Sequence, residues 1–416
     1  MKVLILFTGI KPGNNNSGFD QGFVIIYCMR LFVLLPRVPY PLEKGDKLRA
    51  FYQIKELSKN NEIILCALNS ISKLDKQKAF RELQPYCRSI NFIDLPWYGI
   101  LWNLFTAFLK GIPIQSGYFY SCRAKRKVDK LIEEYKPDHV YCQLVRTAEY
   151  FIKSDLPKTI DYQDVFSYGL KRRYDKANLL FKPIYKMEYK RLLKYENKVF
   201  DCFDNKTIIS YPDQKLIDHP QREKIHIIPN GVDHDFFSPM ERKKEYDLVF
   251  AGNMAYPPNV DAASFLVKDI MPLVWKKKPD ATILLAGASP DRRVLALKGN
   301  NVVVSGWMDD IRDAYSSARV FIAPMRIGTG LQNKLLEAMS MRIPSITTKL
   351  ANDALKAEDG KEVLIGNDAN SLAKNILNLL NDKKHYSEIA DNGYNFVNTE
   401  YSWEESTAKL EKIMRT

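Results

Sequence analysis

The sequence has few histidines, no Cys-x-x-Cys pair and no apolar run long enough to cross a bilayer. Among its 416 residues are 5 His and 6 Cys, and no His stands at the spacing of a zinc ligand. We therefore expect free, mostly buried thiols in a reducing compartment. The apolar run 23–35 contains Arg30 and stops at Pro36, short of the roughly 20 residues that span a membrane.

A cleavable leader is not expected either. The apolar opening 1–10 is cut short by Lys11 and Pro12, and no small-x-small cleavage site follows. Residues 29–36 have the pattern of the first strand of an α/β protein. We therefore predict that Met29 is the functional start and that residues 1–28 are an extension outside the fold. These features predict a cytoplasmic protein, either free or bound to a membrane surface.

The composition excludes disordered, collagen-like and coiled-coil chains, because 46% of the residues are hydrophobic and 12% are aromatic. The length predicts two domains. The net charge of +13 is unevenly distributed: residues 1–225 hold 38 Lys and Arg against 24 Asp and Glu, and the remainder is close to neutral. The first half is expected to meet an anionic partner, either nucleic acid, an acidic membrane surface or a phosphorylated substrate.

Short apolar, β-branched runs alternate with stretches of helical period after Met29, which predicts parallel βαβ units. The predicted strands of the first half are 31–35, 62–68, 89–94, 139–142, 158–161, 206–210 and 225–228. Those of the second half are 246–251, 281–286, 301–305, 320–323, 345–347 and 362–365. We predict an α/β fold with two doubly wound parallel sheets. The turn at 228–233 separates domains 29–228 and 229–400, and a last helix, 401–416, returns toward the first domain.

Four predicted strands of the second half end directly in glycine or proline, at Gly252, Gly287, Gly306 and Pro324. Ligands of open α/β sheets sit at the carboxyl ends of the strands, where glycine lets backbone N–H groups approach an anion. Tight turns without a ligand are the alternative for each position, but four along one edge favour a binding site.

The segment 323–339 carries the sharpest signal. A strand ends at Pro324, a Gly-x-Gly loop follows and a helix begins after it, so the helix N-terminus can receive a phosphate. Arg326 and Lys334 flank the loop and can neutralise a diphosphate. Glu337 lies on the same helical face as Lys334, one turn deeper, where a carboxylate can accept from sugar hydroxyls. A plain i,i+3 salt bridge on a packed helix is the alternative.

Six motifs follow one another along the chain. They are Pro39-Tyr-Pro-x4-Gly45-Asp-x-x-Arg49, Ile228-Pro-Asn-Gly-Val-Asp233, Phe250-Ala-Gly-Asn-Met254, Gly306-Trp-Met-x-Asp310, Arg326-x-Gly-x-Gly-x-x-x-Lys334-x-x-Glu337-Ala-Met and Tyr401-Ser-Trp403. In this order they resemble glycosyltransferase family 4, and within it the sugar transferases of exopolysaccharide clusters. The resemblance covers nearly the whole chain after Met29. It implies the GT-B fold, in which two Rossmann-like domains face a cleft.

The resemblance implies that Glu337 holds the ribose hydroxyls of a nucleotide, while Arg326 and Lys334 grip its diphosphate. The further donor-binding residues that it implies are Gly252, Asn253, Gly306, Trp307, Met308, Gly328, Thr329, Gly330 and Leu331. The family commonly carries a sugar-binding glutamate eight residues before Glu337, and this sequence has Thr329 there. Orientation of the donor sugar is then expected to rely on the Thr329 hydroxyl and on backbone N–H groups of the loop.

The family is retaining, so the resemblance implies front-face attack in which the departing phosphate helps to accept the acceptor's proton. No carboxylate pair of the glycosidase kind is then required. We expect no metal, and no cofactor besides the nucleotide-sugar co-substrate. Asp233-His-Asp235 matches the pattern D-x-D only formally and lies in the linker.

The acceptor side is predicted at the loop after the first strand, with Gly45, Asp46 and Arg49. Asp161 and Asp164 follow another strand, in the region where many family members place a histidine. One of these two carboxylates is therefore expected to orient the acceptor. Helix capping, a common task for Asp just past a strand, is the alternative for each.

The basic half joins aromatic and cationic segments. Residues 97–109 are rich in aromatic and aliphatic side chains, Arg123, Lys125, Arg126 and Lys127 follow, and residues 171–198 hold ten Lys and Arg. This combination favours a membrane interface with anionic lipids. A core helix followed by a solvated basic helix is the alternative. Nucleic acid is not expected as a partner, because no recognition module is visible.

Together these features predict a metal-independent, retaining transferase for a hexose or related sugar. Its donor is a nucleotide-diphosphate sugar and its acceptor a glycan or polyprenyl-linked glycan, in exopolysaccharide or cell-surface polysaccharide synthesis at the inner face of the cytoplasmic membrane. Two alternatives stay open. A nucleotide-sugar epimerase on the same fold would act without an acceptor, and a non-catalytic adaptor on a degenerate transferase scaffold is made credible by Thr329.

Overall fold

The computed structural model describes residues 3–6, 24–70, 74–328 and 330–416. Its contacts divide the chain into two compact units. The first comprises Met1–Ile208, Ile217–His226 and Thr407–Thr416, and the second comprises Ile209–Leu216 and Ile227–Ser406. Strands β1 (Val3–Leu6) and β2 (Val24–Tyr27) pair antiparallel with each other. Residues 7–23 lie outside the described residues, and a functional start at Met29 stays a prediction.

The first domain alternates strands and helices. Its strands are β3 (Met29–Leu35), β4 (Asn61–Asn69), β5 (Ser89–Asp94), β6 (His139–Gln143), β7 (Lys158–Asp161), β8 (Asn205–Ile208) and β9 (His226–Ile227). Its helices are α1 (Gly45–Leu57), α2 (Lys76–Leu83), α3 (Trp97–Leu109), α4 (Ile114–Phe119), α5 (Cys122–Tyr135), α6 (Phe166–Lys176) and α7 (Lys182–Cys202). Across the described part of the chain, none of the helices is both long and apolar enough to cross a membrane.

The first sheet has β3 near its middle. Within the described residues it contains seven strands in the order β5-β4-β3-β6-β7-β8-β9. Strand β3 runs parallel to β4, with Met29 opposite Asn61, and parallel to β6, with Leu31 opposite His139. Residues 31–35 of β3 are fully buried. Helices cover both faces of such a sheet, which is why its central strands are continuous apolar runs rather than alternating ones.

The second domain has the same construction. Its strands are β10 (Tyr246–Ala251), β11 (Ile283–Ala286), β12 (Val302–Gly306), β13 (Ala318–Ala323), β14 (Ser345–Thr347) and β15 (Leu364–Ile365). Its helices are α8 (Tyr211–Leu216), α9 (Pro257–Phe265), α10 (Met271–Trp275), α11 (Arg292–Leu295), α12 (Ile311–Ser316), α13 (Asn333–Ser340), α14 (Lys349–Leu355), α15 (Ala369–Asn381), α16 (Lys383–Glu400) and the start of α17 (Trp403–Arg415). The described strands are ordered β12-β11-β10-β13-β14-β15, all parallel.

The expected α/β fold with two parallel sheets is confirmed. Every strand predicted after Met29 is present among the described residues. Strands β5, β7, β10 and β14 have the predicted ends, and the others shift by one to two residues at an end. Long apolar runs between turn residues identify buried parallel strands well, whereas strand ends depend on pairing with neighbours.

The two units exchange short segments of chain. Ile209–Leu216 groups with the second unit, where the Lys356 ammonium lies 5.6 Å from the Tyr211 ring centroid. Thr407–Thr416 groups with the first unit, where Arg415 donates to the Asn61 side chain at 2.7 Å. The prediction of one boundary near residue 228 and one returning helix therefore does not include the segment Ile209–Leu216.

A buried ion pair crosses the first domain. Arg49 of α1 and Asp161 of β7 are both fully buried and lie 2.7 Å apart. The hydroxyls of Tyr141 and Thr207 also donate to the Asp161 carboxylate, at 3.1 and 2.9 Å. This corrects the expectation that Arg49 and Asp161 contact an acceptor. Neither side chain is exposed to solvent, and the oxygens of the Asp161 carboxylate already accept hydrogen bonds from Arg49, Tyr141 and Thr207.

Removing Arg49 should destabilise the first domain strongly. Arg49→Ala leaves the Asp161 carboxylate buried without its counter-ion, which costs about 3–5 kcal/mol of unfolding free energy. Arg88→Ala is the matched control, because Arg88 pairs with Glu62 at the surface and is 54% exposed, and it should cost less than about 1 kcal/mol. Urea unfolding followed by circular dichroism measures both, and equal losses would contradict a structural role for the pair.

Candidate functional site

Two glycine loops of the second domain come into direct contact at the carboxyl ends of β10 and β11. Gly252 and Gly287 have φ of +148° and +136°, which side chains rarely adopt. A Cβ on Gly287 would lie 1.9 Å from the Gly252 carbonyl oxygen, and a Cβ on Gly252 would lie 3.1 Å from the Lys334 Nζ. Glycine at both positions therefore lets the loops meet and leaves Lys334 directly above the backbone.

Lys334 lies on the first turn of α13 and points to these loops. Its ammonium donates to the Asn259 Oδ1 at 2.6 Å and lies 4.8 Å from the centre of the Phe250 ring. The Asn259 amide in turn donates to the Asn253 carbonyl at 2.9 Å. Burial lowers the pKa of Lys334 to about 8. Among the described residues this lysine donates to one neutral acceptor, which suits its charge to an incoming anion.

Glu337 follows on the same face of α13 and has its own partner. It accepts a hydrogen bond from the Tyr315 hydroxyl of α12 at 2.6 Å. Burial raises the pKa of the Glu337 carboxyl. Lys334 and Glu337 form no direct ion pair among the described residues. The alternative of a plain i,i+3 salt bridge is therefore not what the structure contains, and the carboxylate keeps acceptor capacity for a ligand.

Arg326 is held at the edge of the same loop. It donates to both carboxylate oxygens of Asp261 on α9, at 2.8 and 3.1 Å, and its guanidinium lies 4.3 Å from the centre of the Phe265 ring. Its side chain remains 48% exposed. Arg326 thus lines the loop as a partly neutralised cation, whereas Lys334 forms no ion pair with any residue that the structure describes.

The remaining donor-side residues surround this centre. Gly328 has φ of +107°, and a Cβ on Gly330 would lie 3.9 Å from the Asp213 carboxylate. Thr329 lies outside the described residues. Leu331 and Met308 are partly buried against the core, while Trp307 is 68% exposed beyond Gly306. The structure brings together the ends of β10 to β13 and the start of α13, and their role in binding a donor stays a prediction.

A charged cluster occupies the carboxyl edge of the first sheet. Asp46, beside Gly45 at the start of α1, accepts from Arg37, and its main-chain carbonyl accepts from Gln143 at 2.9 Å. Burial lowers the pKa of Arg146 to about 10. Asp164 is exposed at the end of β7, where partial desolvation raises the pKa of its carboxyl. Two arginines thus accompany the predicted acceptor residues at this edge.

The D-x-D pattern is part of a turn. Asp233 accepts from the Phe236 main-chain N–H at 3.1 Å, and His234 Nδ1 lies 3.1 Å from the Ser340 hydroxyl. In the part of the chain that the structure describes, no three His, Cys, Asp or Glu side chains are grouped as metal ligands.

Several residues at these sites belong to no motif of the sequence and were not predicted. Asn259 and Tyr315 lie on helices 56 residues apart in sequence and reach Lys334 and Glu337 only through the fold. Arg37 and Arg146 lie in loops without a motif. The one available cue was position, since both arginines follow predicted strands of the first domain.

A comparison with protein families found a match within the second domain. Residues 245–382 match the family model of glycosyl transferases group 1. The match contains the glycine loops, Arg326, Lys334 and Glu337 described above.

Two relatives extend the likeness. An uncharacterised 44.6 kDa protein in the cps region of Klebsiella pneumoniae is 24% identical over 89% of this chain and 96% of its own length. A GDP-mannose-dependent monoacylated alpha-(1-6)-phosphatidylinositol monomannoside mannosyltransferase of Corynebacterium glutamicum is 29% identical over 45% of this chain and 55% of its own length.

Solved structures show the GT-B fold over both domains. Sucrose-phosphate synthase from Thermosynechococcus elongatus matches 93% of this chain and 98% of its own, with a TM-score of 0.65 at 15% identity. TarM matches 93% and 99%, with a TM-score of 0.66 at 12% identity. Anabaena HepE in complex with UDP and glucose matches 92% and 99%, with a TM-score of 0.64 at 13% identity. The expected resemblance to GT-B glycosyltransferases is confirmed.

Nucleotide affinity should depend on pH through Lys334. Because the pKa of Lys334 is lowered to about 8, its side chain is a charged ammonium below that pH and a neutral amine above it. We expect the dissociation constant of UDP or GDP, whichever binds more tightly, to rise by up to about tenfold per pH unit above 8. Calorimetry at a series of pH values measures this.

The control is Lys334→Arg, whose guanidinium stays charged over this range. Its affinity should vary much less with pH than that of the wild type. Parallel pH profiles for both proteins would contradict the assignment of Lys334 to the diphosphate.

Proposed function

We propose that the protein is a retaining glycosyltransferase that moves a hexosyl or related group from a nucleotide-diphosphate sugar to a glycan or lipid-linked acceptor. The reaction serves exopolysaccharide or cell-surface polysaccharide synthesis. The observation that carries the proposal lies in the first turn and a half of α13. Lys334 and Glu337 share one face of this helix, but each forms a hydrogen bond with a different residue, Asn259 and Tyr315. Lys334 also lies beside the two glycine loops that contact each other.

The arrangement suits a nucleotide diphosphate. Lys334 and the N-terminal N–H groups of α13 favour the negative diphosphate, and Arg326 adds charge at the loop. Glu337, held by Tyr315, has lone pairs left for the two ribose hydroxyls. In this arrangement Lys334 binds the phosphates, and Glu337, one turn further along α13, binds the hydroxyls.

The chemistry follows from where charge develops. The bond between the anomeric carbon and the β-phosphate oxygen breaks, and a bond to the acceptor oxygen forms on the same face of the sugar. The acceptor's proton passes to the departing phosphate. Lys334, Arg326 and the helix N–H groups stabilise the leaving diphosphate as its charge grows, and this term is often the largest in such catalysis. We propose that these protein cations serve here without a metal ion or other cofactor.

The acceptor is proposed to meet the carboxyl edge of the first sheet. Asp164 is exposed there and its raised pKa reflects partial desolvation, so it can accept a hydrogen bond from the attacking hydroxyl. Gly45 and Asp46 lie at the same edge, and Arg37 and Arg146 supply positive charge for a phosphorylated acceptor. Asp161 is excluded from this role by its burial.

The relatives support the biosynthetic setting. The Klebsiella protein is described as lying in a cps region, the Corynebacterium relative is described as a mannosyltransferase, and the HepE structure contains UDP and glucose. We infer from these a polysaccharide or glycolipid product. The base and sugar of the donor follow from a thermal-shift screen of UDP-, GDP- and ADP-sugars, because a ligand at 100 times its Kd stabilises by about 2.7 kcal/mol.

We also propose that the first domain lies on the inner face of the cytoplasmic membrane. Large apolar side chains are exposed on α3 and before α7. On α3 they are Trp97, Leu101, Trp102, Phe105, Phe108 and Leu109, which we call the α3 face, and before and in α7 they are Leu179, Leu180, Phe181 and Ile184. Exposed apolar surface of this extent beside a basic helix is typical of interfacial binding.

Glu337→Gln should weaken donor use without unfolding the protein. The amide oxygen can still accept from Tyr315, but the charged acceptor for the ribose is lost, so we expect the kcat/KM for the nucleotide sugar to fall about 10- to 100-fold. Glu358→Gln is the control, because Glu358 pairs with Lys361 on the surface of the same domain. A radiolabelled-sugar transfer assay measures both.

Three outcomes would contradict the proposal. Unchanged activity in Glu337→Gln would remove the site assignment. Turnover of the nucleotide sugar without any acceptor would favour an epimerase. A protein that binds no nucleotide sugar in calorimetry would be an adaptor on a transferase scaffold.

A further inference from the structure

The first domain contains a large cavity beneath α3 that the proposed transfer reaction does not use. Its volume is about 1150 Å³, and its walls come from α3, α5 and the segment around Glu149 and Ser154. Tyr98, Trp102, Asn103, Thr106 and Ala107 of α3 line it. The cavity thus adjoins the α3 face at Trp102, which belongs to both.

Positive charge dominates the lining of this cavity. Its described cations are Lys110, Arg123, Lys125, Lys127, Lys153 and Lys198. Lys125 pairs with Asp129, and the others form no ion pair with any described residue. The two lining acids already have partners: Asp94 accepts from Lys76 and Asn69, both at 2.7 Å, and Glu149 accepts from Tyr195 at 3.1 Å. The cavity therefore has cations that are not neutralised by the protein.

The wall formed by α3 is firmly attached. A Cβ added to Gly117 of α4 would lie 2.3 Å from the Ala107 Cβ, so the two helices pack at close range. Glu188 of α7 accepts from the Ile114 main-chain N–H at 2.6 Å, and the Arg191 guanidinium lies 4.7 Å from the centre of the Phe108 ring. Helix α3 is thus held against the domain, while the side chains of the α3 face remain exposed.

We propose that this cavity binds the phosphate headgroup of an anionic membrane lipid while the α3 face lies among the acyl chains. The inference rests on the proposed membrane position of the first domain and adds a specific site to it. An amphiphile matches the cavity and the adjoining α3 face at once: its phosphate meets the cavity cations that form no ion pair among the described residues, and its chains meet the exposed tryptophans and leucines. Nucleic acid would leave the aliphatic part of the α3 face uncovered.

The test compares two charge removals on the same helix. Arg123→Gln with Lys127→Gln removes two cations of the cavity. Arg126→Gln with Lys130→Gln removes two exposed cations of α5 that do not line the cavity and form no ion pair with a described residue. Flotation with vesicles of equal parts phosphatidylcholine and phosphatidylglycerol measures affinity, and vesicles of phosphatidylcholine alone give the baseline. We expect the cavity pair to lose about tenfold more affinity than the α5 control pair.

A soluble short-chain lipid distinguishes binding at the cavity from general electrostatic attraction to a vesicle surface. Dihexanoyl phosphatidylglycerol below its micelle concentration should raise the Tm of the wild type and of the control pair, but not that of the cavity pair. Inorganic phosphate at the same concentration should have little effect. If inorganic phosphate raised the Tm as much as the short-chain lipid does, the ligand would be free phosphate and the proposed lipid would be overturned. If the two double variants lost equal vesicle affinity in flotation, attraction would come from diffuse surface charge and not from a site in the cavity.

The outcome is independent of the transfer reaction. Thermal shift with the preferred nucleotide sugar should be unchanged in the cavity pair. A wild-type protein that binds nucleotide sugar but neither vesicles nor the short-chain lipid would overturn this inference and leave the proposed transferase intact. Preference for a single-stranded oligonucleotide over anionic vesicles would overturn it in favour of a nucleic-acid surface.

Discussion

The parallel strands of this protein are buried on both faces of their sheets, and this constraint determines where its charged and polar side chains can reach a ligand. The central strands β3, β4, β10 and β13 carry side chains that are almost all removed from solvent. Such strands can present reactive groups only where they end. The glycine loops, Lys334 and Glu337 gather at those ends in the second domain, and Asp46, Asp164, Arg37 and Arg146 gather there in the first.

The same constraint explains how far the sequence could predict the fold and the site. A strand covered on both faces is an apolar run between turn residues, so β10 could be identified to the residue. Helical period placed Lys334 and Glu337 on one face of α13. The partners Asn259 and Tyr315 could not be identified in this way, because contacts between helices distant in sequence depend on the packed domain.

Asp161 illustrates the opposite case. A carboxylate just past a strand is a reasonable candidate for ligand binding when only its neighbours in sequence are known. Its partner Arg49 is 112 residues away, and no local pattern indicates that the two meet in the core. Asp164, three residues later, forms no ion pair among the described residues, and its side chain is exposed.

The division of the chain between its two units has a consequence for protein engineering. The polypeptide passes from one unit to the other at residues 208, 216, 226 and 406. A single cut near residue 228 would yield a first fragment without the segment Thr407–Thr416, whose Arg415 binds Asn61, and a second fragment without α8. Chimeras that exchange the second domain between relatives must therefore be spliced at several points, so that each unit keeps its short segments.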